Sequence, residues 1–226
     1  MEKYDIRKYI EKYIPSKQTV KRAAVTGLAA LTITTATATL TGCPHANQSP
    51  GAYDSLDIDS GGGCCFPAGT KISMSDNSLK NVEDVQAGDT VISFDEENKK
   101  LVNAKVLEVE SPIRDHICTI SFDNGEKLDI TDDHPIFTKD GWKSINPEAT
   151  LKGGRYKIPV TKLEEGDEAF CINGNYMKIL DIKKEMKKTQ TFTLKYVDKF
   201  HNFFADNVLA HNCGGGGGGG SGGGGQ

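Results

Sequence analysis

Two groups of residues carry side chains able to attack the chain's own backbone. The first is Cys65, which follows Gly61-Gly62-Gly63-Cys64 and precedes Phe66-Pro67-Ala68-Gly69-Thr70. A thiolate is the strongest common side-chain nucleophile near neutral pH. A cysteine whose sulfur lies beside the carbonyl just upstream can attack it, turning the Cys64-Cys65 peptide into a thioester. The second group is the triplet His211-Asn212-Cys213. The Asn212 side-chain amide can attack its own backbone carbonyl, close a five-membered succinimide and cut the Asn212-Cys213 bond. His211 is placed to donate a proton to the leaving amide or to polarise its carbonyl. Cys213 offers a second thiol, able to capture a thioester formed at Cys65. Such reactions are slow in a free chain, and fixing the groups in contact supplies on the order of 7–11 kcal/mol in well-oriented cases. The elements between Cys65 and Asn212 must therefore bring the two ends together.

The 226 residues allow one ordinary domain with extensions, or two small ones. A formal charge of -4 leaves no basic footprint for nucleic acid. The six cysteines are Cys43, Cys64, Cys65, Cys118, Cys171 and Cys213. They are too sparse in a chain this long for a disulfide-stapled scaffold, and no C-x-x-C pair marks a structural zinc site. Cys118 and Cys171 match no motif and read as buried and inert.

Glycine concentrates at 61–63 and 214–225 and brackets the compact part. Residues 1–22 are charged, with Ile6, Tyr9, Ile10, Tyr13 and Ile14 at helical spacing up to Pro15. This segment reads as a solvated or partner-dependent amphipathic helix, with binding to a membrane surface as the second reading. Residues 23–43 lack charge and end in Leu40-Thr41-Gly42-Cys43, which resembles the lipobox of bacterial lipoproteins, where the cysteine is lipidated. Two readings stay open: export with lipidation of Cys43 and membrane association through this leader, or a disordered Thr/Ala-rich segment. Residues 44–64 form a linker, and residues 213–226 a tail whose glycines are expected to be disordered.

Between the brackets the chain reads as strands. Thr90-Val91-Ile92-Ser93-Phe94, residues 102–109, Ile117–Phe122, residues 128–131, Phe192-Thr193-Leu194-Lys195-Tyr196-Val197 and residues 202–209 are rich in β-branched and aromatic side chains. Asp123-Asn124-Gly125 is a hairpin turn, and residues 79–85 are a candidate helical turn. Residues 82–91 echo residues 160–169, each placing Gly-Asp before a strand, which suggests a duplicated β unit.

Three ordered blocks resemble a known family. Cys65-Phe66-Pro67-Ala68-Gly69-Thr70-Lys71-Ile72 is similar to the first block of Hint-type domains, found in inteins, bacterial intein-like domains and hedgehog autoprocessing domains. Thr131-Asp132-Asp133-His134-Pro135 is similar to their Thr-x-x-His block. The stretch from His201 to Cys213 resembles the terminal block of inteins. The resemblance covers residues 65–213, with no room for a homing endonuclease insert. It implies an all-β, horseshoe-like Hint fold with pseudo-twofold symmetry spanning residues 65–212. It further implies that Cys65 performs an N-to-S acyl shift while Thr131 and His134 grip and protonate the Cys64-Cys65 amide. His201 and His211 would assist Asn212 cyclisation, and Cys213 would accept the acyl chain. The substrate is the flanking chain itself, with no cofactor or metal, in an expected monomer processed in the cytoplasm.

The chain departs from the family at several points. Asn207 stands where glycine is frequent, and Asn tolerates the same positive φ. Thr193 stands near a common acidic position, with Asp198 or Asp206 as substitutes to consider. Cys64 is an unusual upstream neighbour, and a Cys64-Cys65 or Cys65-Cys213 disulfide would block the first step. Two alternatives to splicing remain: Hint-type cleavage without ligation, which the complete His-Asn-Cys end argues against, and a non-catalytic anchored lipoprotein with a binding β domain.

Overall fold

The computed structural model describes residues 63–154 and 156–214. The readings given for residues 1–22 and 23–43, including Cys43, and for most of the linker and tail lie outside the described residues. No described helix is long and apolar enough to cross a membrane.

The described chain is almost entirely β. β1 (Phe66–Pro67), β2 (Lys71–Ser73) and β3 (Leu79–Asn81) lead through a 3-10 turn at Val82–Asp84 to the hairpin of β4 (Thr90–Asp95) and β5 (Lys100–Glu110). β6 (Ile113–Arg114), β7 (Ile117–Phe122) and β8 (Lys127–Ile130) precede the turn that carries Thr131 and His134. β9 (Ile136–Thr138) and β10 (Gly141–Ser144) are followed by one short helix, α1 (Pro147–Leu151), and by β11 (Thr161–Lys162). β12 (Glu168–Phe170), β13 (Tyr176–Glu185) and β14 (Thr189–Val197) then lead to a last hairpin, β15 (Asn202–Ala205) and β16 (Val208–His211). Asn146 caps α1 by accepting from the Ala149 N–H.

The two Gly-Asp units fold alike. Gly88 donates to the Val106 carbonyl at 2.8 Å while Val106 donates back to Asp89 at 2.9 Å; Gly166 and Ile179, then Ile179 and Asp167, repeat this pair at 2.8 Å each. Gly88 and Gly166 adopt φ of 101° and 94°, a region open to glycine without strain. Each aspartate carboxylate closes its own turn, on the Gln86 and Glu164 amides, and each takes a lysine, Lys80 or Lys143. The long strands then exchange partners: β5 pairs with β14 and β13 pairs with β7, all antiparallel. A duplicated unit whose arms pair across the halves has the pseudo-twofold symmetry expected from the sequence.

Strand patterning sets what each face does. In β7, Cys118, Ile120 and Phe122 are buried while the residues between them are half-buried, the period of a sheet with one covered face. The β15–β16 hairpin is buried on both faces. Phe203, Ala205, Val208 and Ala210 enter one apolar cluster, with Phe66, Ile120, Leu128 and Leu194. Phe204 and Leu209 enter the other, with Ile92, Phe94, Trp142 and Phe170. Asp206 and Asn207, both at positive φ (42° and 70°), form the two-residue turn, so Asn207 does serve where glycine is frequent. Asn202 locks the hairpin to β4 by accepting from Ser93 Oγ and the Phe94 amide and donating to the Phe94 carbonyl. A hairpin fixed this firmly delivers His211 and Asn212 to the molecular interior.

Candidate active site

Cys65 enters the site just ahead of β1. Its N–H, the amide of the Cys64-Cys65 bond, donates to Thr131 Oγ1 at 2.9 Å, and Thr131 returns its own N–H to the Cys65 carbonyl at 3.0 Å. The Thr131 hydroxyl donates to the Gly63 carbonyl at 3.4 Å. One side chain thus spans the peptide on both sides of Cys64. The Cys65 thiol is fully buried, and burial pushes its pKa up. The Arg114 charge and hydrogen bonds from Thr191 and Arg114 oppose this, with Arg114 Nη2 at 3.9 Å from Sγ. The thiol therefore rests protonated beside a cation able to stabilise its anion.

His134 is held by the turn that its own amide closes on the Thr131 carbonyl at 3.2 Å, and by the Phe66 ring at 4.3 Å. Its Nε2 lies 2.9 Å from the His211 carbonyl oxygen. A carbonyl only accepts, so Nε2 carries the proton, and Nδ1 is left with a lone pair. That Nδ1 is buried without a hydrogen-bond partner. Burial pushes the His134 pKa down to about 3, against weaker pulls upward from the His211 and Cys65 backbone. The ring is neutral near pH 7, with its basic nitrogen unspent.

The downstream end is held as closely. Asn212 donates its backbone N–H to the His201 carbonyl at 2.8 Å and its Nδ2 to the Lys195 carbonyl at 2.9 Å. Gly214, two residues further on, donates to the same Lys195 oxygen at 2.5 Å. β14 thereby clamps the chain on both sides of the Asn212-Cys213 bond. His211 Nδ1 donates to the Asn212 carbonyl oxygen at 2.8 Å. Burial lowers the His211 pKa to about 4; the Asn212 backbone pulls it upward and His201 downward. Trp142 and Tyr156 pack edge-on at 5.0 and 5.1 Å from its ring, and His201 stacks at 6.3 Å.

The two ends meet at Cys64 and Cys213, which are joined by a disulfide across 149 residues, with Cα atoms 5.5 Å apart. The Cys213 Sγ lies against the Cys64 carbonyl oxygen. Tyr156 Oη is 2.7 Å from Cys64 Sγ, and the Thr193 hydroxyl donates to Cys213 Sγ at 2.9 Å. The disulfide pairing differs from the two pairings considered from the sequence, since Cys65 stays free. Neighbours in an extended chain project to opposite sides: Cys64 turns to Tyr156 and Cys213, whereas Cys65 turns to Arg114 and Thr191.

Cys65, Thr131, His134, His201, His211, Asn212 and Cys213 thus converge in one buried region. Thr193 itself occupies the position facing Cys213, while Asp206 is committed to the Lys71 amide in the hairpin turn. Cys118 and Cys171 are free and buried, with thiol pKa values pushed up to about 11 and about 12. Arg114, Thr191, Tyr156 and the Lys195 carbonyl were not anticipated. None sits in a motif, and a backbone carbonyl leaves no trace in side-chain sequence.

Against known proteins, residues 66–174 match the family described as Ataxin-1 and HBP1 module (AXH). Ataxin-1 from Rattus norvegicus is 26% identical over 126 residues, covering 53% of this chain and 16% of that protein; human ataxin-1 gives 26%, 53% and 15%. The chain therefore spans only a small part of the length of these curated relatives, and the AXH match stops before His201. A bacterial intein-like domain from Clostridium thermocellum superposes with a TM-score of 0.55 at 27% identity, covering 66% of this chain and 98% of that one. A DnaB intein from Synechocystis sp. gives 0.54 at 20% identity, with coverage of 66% and 98%. Strand-exchanged β units that carry both ends of the module into one interior give the chain the Hint fold that these solved domains share. Within that fold, the module between Cys65 and Cys213 is similar to a bacterial intein-like domain and to mini-inteins.

Proposed function

We propose that the chain splices itself, excising residues 65–212 and joining Cys64 to Cys213. One observation carries this reading: the Cys213 sulfur rests on the Cys64 carbonyl while Thr131 grips the adjoining amide. The likeness to inteins and bacterial intein-like domains supports it.

In the reduced chain, the Cys65 sulfur attacks the Cys64 carbonyl carbon beside Arg114, and its proton leaves for His134 Nδ1 only as the S–C bond forms, because a free thiolate beside an imidazolium of pKa near 3 would lie far uphill. The C–N bond breaks, and His134 returns the proton to the departing Cys65 nitrogen. An imidazolium whose pKa is near 3 is a strong acid, so the transfer back is favourable. The Cys213 thiolate then attacks the thioester and expels the Cys65 thiolate. Next, Asn212 Nδ2, oriented by the Lys195 carbonyl, attacks its own backbone carbon, while His211 Nδ1–H stabilises the oxyanion. The Cys213 amine leaves with a proton, and an S-to-N shift completes the Cys64-Cys213 peptide. Every atom comes from the chain itself.

Intact mass of the reduced chain tests this beside Cys65→Ala and Asn212→Ala. A joined product of residues 1–64 and 213–226 with a free 65–212 fragment, absent from both variants, is the expected result. Separate end fragments would establish cleavage without ligation, and an unchanged mass in all three would favour a non-catalytic binding domain.

A further inference from the structure

We propose that the module carries two subsites that admit only glycine on the flanking chain, one two residues upstream of Cys65 and one two residues downstream of Asn212. Gly63 and Gly214 fill them. A Cβ built on Gly63 would overlap Arg114 Nη2 and stand 2.9 Å from its Cζ. A Cβ on Gly214 would overlap the edge of the Tyr196 ring and stand 2.6 Å from the Lys195 carbonyl oxygen. Carbon atoms in contact prefer about 3.5–4.0 Å, so even alanine is too large at either position. Arg114, Lys195 and Tyr196 belong to none of the three sequence blocks.

The atoms in the way are those that hold the reacting groups. Arg114 Nη2, which fills the space beside Gly63, also lies 3.9 Å from Cys65 Sγ. The guanidinium has room to yield, since it lines a cavity of about 320 Å³ together with Gly63, Thr131 and Lys184. A side chain at position 63 therefore leaves the fold intact. It draws the cation off the sulfur, or lifts the Gly63 carbonyl from the Thr131 hydroxyl, 3.4 Å away. The downstream subsite is stiff instead. Lys195 and Tyr196 lie in β14, which pairs with β5, and the Lys195 ammonium is tied to Glu108 and Glu110 at 2.9 and 2.5 Å. The Lys195 carbonyl that a Cβ at 214 would strike accepts from both the Gly214 N–H and Asn212 Nδ2. This carbonyl cannot retreat, so the chain beyond Cys213 must lift and carry the Asn212 carbonyl away from His211 Nδ1, now 2.8 Å from it. Each subsite thus converts the identity of one flanking residue into geometry at the neighbouring bond. The glycines at 61–63 and 214–225 meet both requirements.

The exclusion of side chains is a property of the fold, whereas its effect on rate rests on the splicing reading, so the test has two arms. The first uses the full reduced chain silenced by Cys65→Ala and Asn212→Ala. There Gly63→Val and Gly214→Val should each lower the urea denaturation midpoint relative to Gly62→Val and Gly215→Val, which carry the same change in unfolded-chain freedom. In Arg114→Ala the Gly63→Val penalty should vanish, because the obstructing group is gone. The second arm reads the junctions. In the reduced chain carrying Asn212→Ala alone, Gly63→Val should slow thiol-induced cleavage at Cys64-Cys65 tenfold or more, and Gly62→Val should not. With Asn212 restored, Gly214→Val should slow succinimide formation about 100-fold, the cost of an ångström-scale misplacement, while thiol-induced cleavage stays within a few-fold. A parent chain that never processes, with both midpoints lowered, would refute the splicing reading and leave the subsites standing. Midpoints equal to those of the controls, or a Gly63→Val penalty undiminished in Arg114→Ala, overturn the proposal.

Discussion

His134 donates through Nε2 to the backbone carbonyl of His211 at 2.9 Å, so the histidine that lies near Cys64 is bonded to the residue whose ring meets the Asn212 carbonyl. Both rings are buried and neutral, with pKa values pushed down to about 3 and about 4. A histidine depressed in the folded state takes up protons more readily when unfolded. Its contribution is fully present above the unfolded pKa near 6.5 and is lost as pH falls toward the folded value. Urea denaturation of the Cys65→Ala, Asn212→Ala chain should show stability level above pH 7 and falling steadily between pH 6.5 and 4. The loss by pH 5 should be roughly 2 kcal/mol per histidine. A stability flat from pH 7 to pH 4.5 would contradict the burial of neutral rings.

The disulfide between Cys64 and Cys213 removes the acceptor thiol and ties together the two residues that splicing would join. Oxidised chain should therefore give no ligated product, and reductant should start ligation at least tenfold faster than the oxidised background. In Cys64→Ala, the reductant dependence should disappear. Time courses of intact mass with and without reductant decide the matter, and equal rates in the parent would sink the idea of a redox gate.

Arg114 is the residue on which sequence and structure part most clearly. The Hint fold, the blocks at Cys65 and Thr131 and the terminal triplet were legible because chemistry at backbone bonds demands specific side chains in fixed order. The Gly-Asp echo was legible because only glycine accepts that turn without strain. Arg114 was not, since a lone arginine before a strand reads as surface charge until β6 pairs with β14 and brings it to the Cys65 sulfur. The Cys64–Cys213 pairing was equally hidden, because adjacent cysteines differ only in the side of the strand they occupy. Arg114→Met should keep the fold but slow thioester formation about 10- to 100-fold, the loss of one charge-assisted stabiliser. Trapping the thioester with an added thiol in the Asn212→Ala background reads this step alone.

His211 separates the two halves of the reaction in the opposite sense. Its Nδ1 stands 2.8 Å from the Asn212 carbonyl oxygen, whereas its contact with the upstream machinery runs through its backbone carbonyl to His134. Replacing the side chain keeps that carbonyl. His211→Ala should therefore leave thiol-induced cleavage at Cys64-Cys65 within a few-fold of the parent, while succinimide formation at Asn212 falls about 100-fold or more. The branched intermediate, with residues 1–64 carried on Cys213, should accumulate as a species isomeric with the unprocessed chain, separable by its retarded migration on a denaturing gel and lost on treatment with hydroxylamine. Removing Trp142 or Tyr156 should act more weakly, because those rings orient His211 without touching the carbonyl. If His211→Ala slows both junctions equally, the ring is not confined to the downstream step, and the link through its carbonyl carries more of the reaction than its geometry implies.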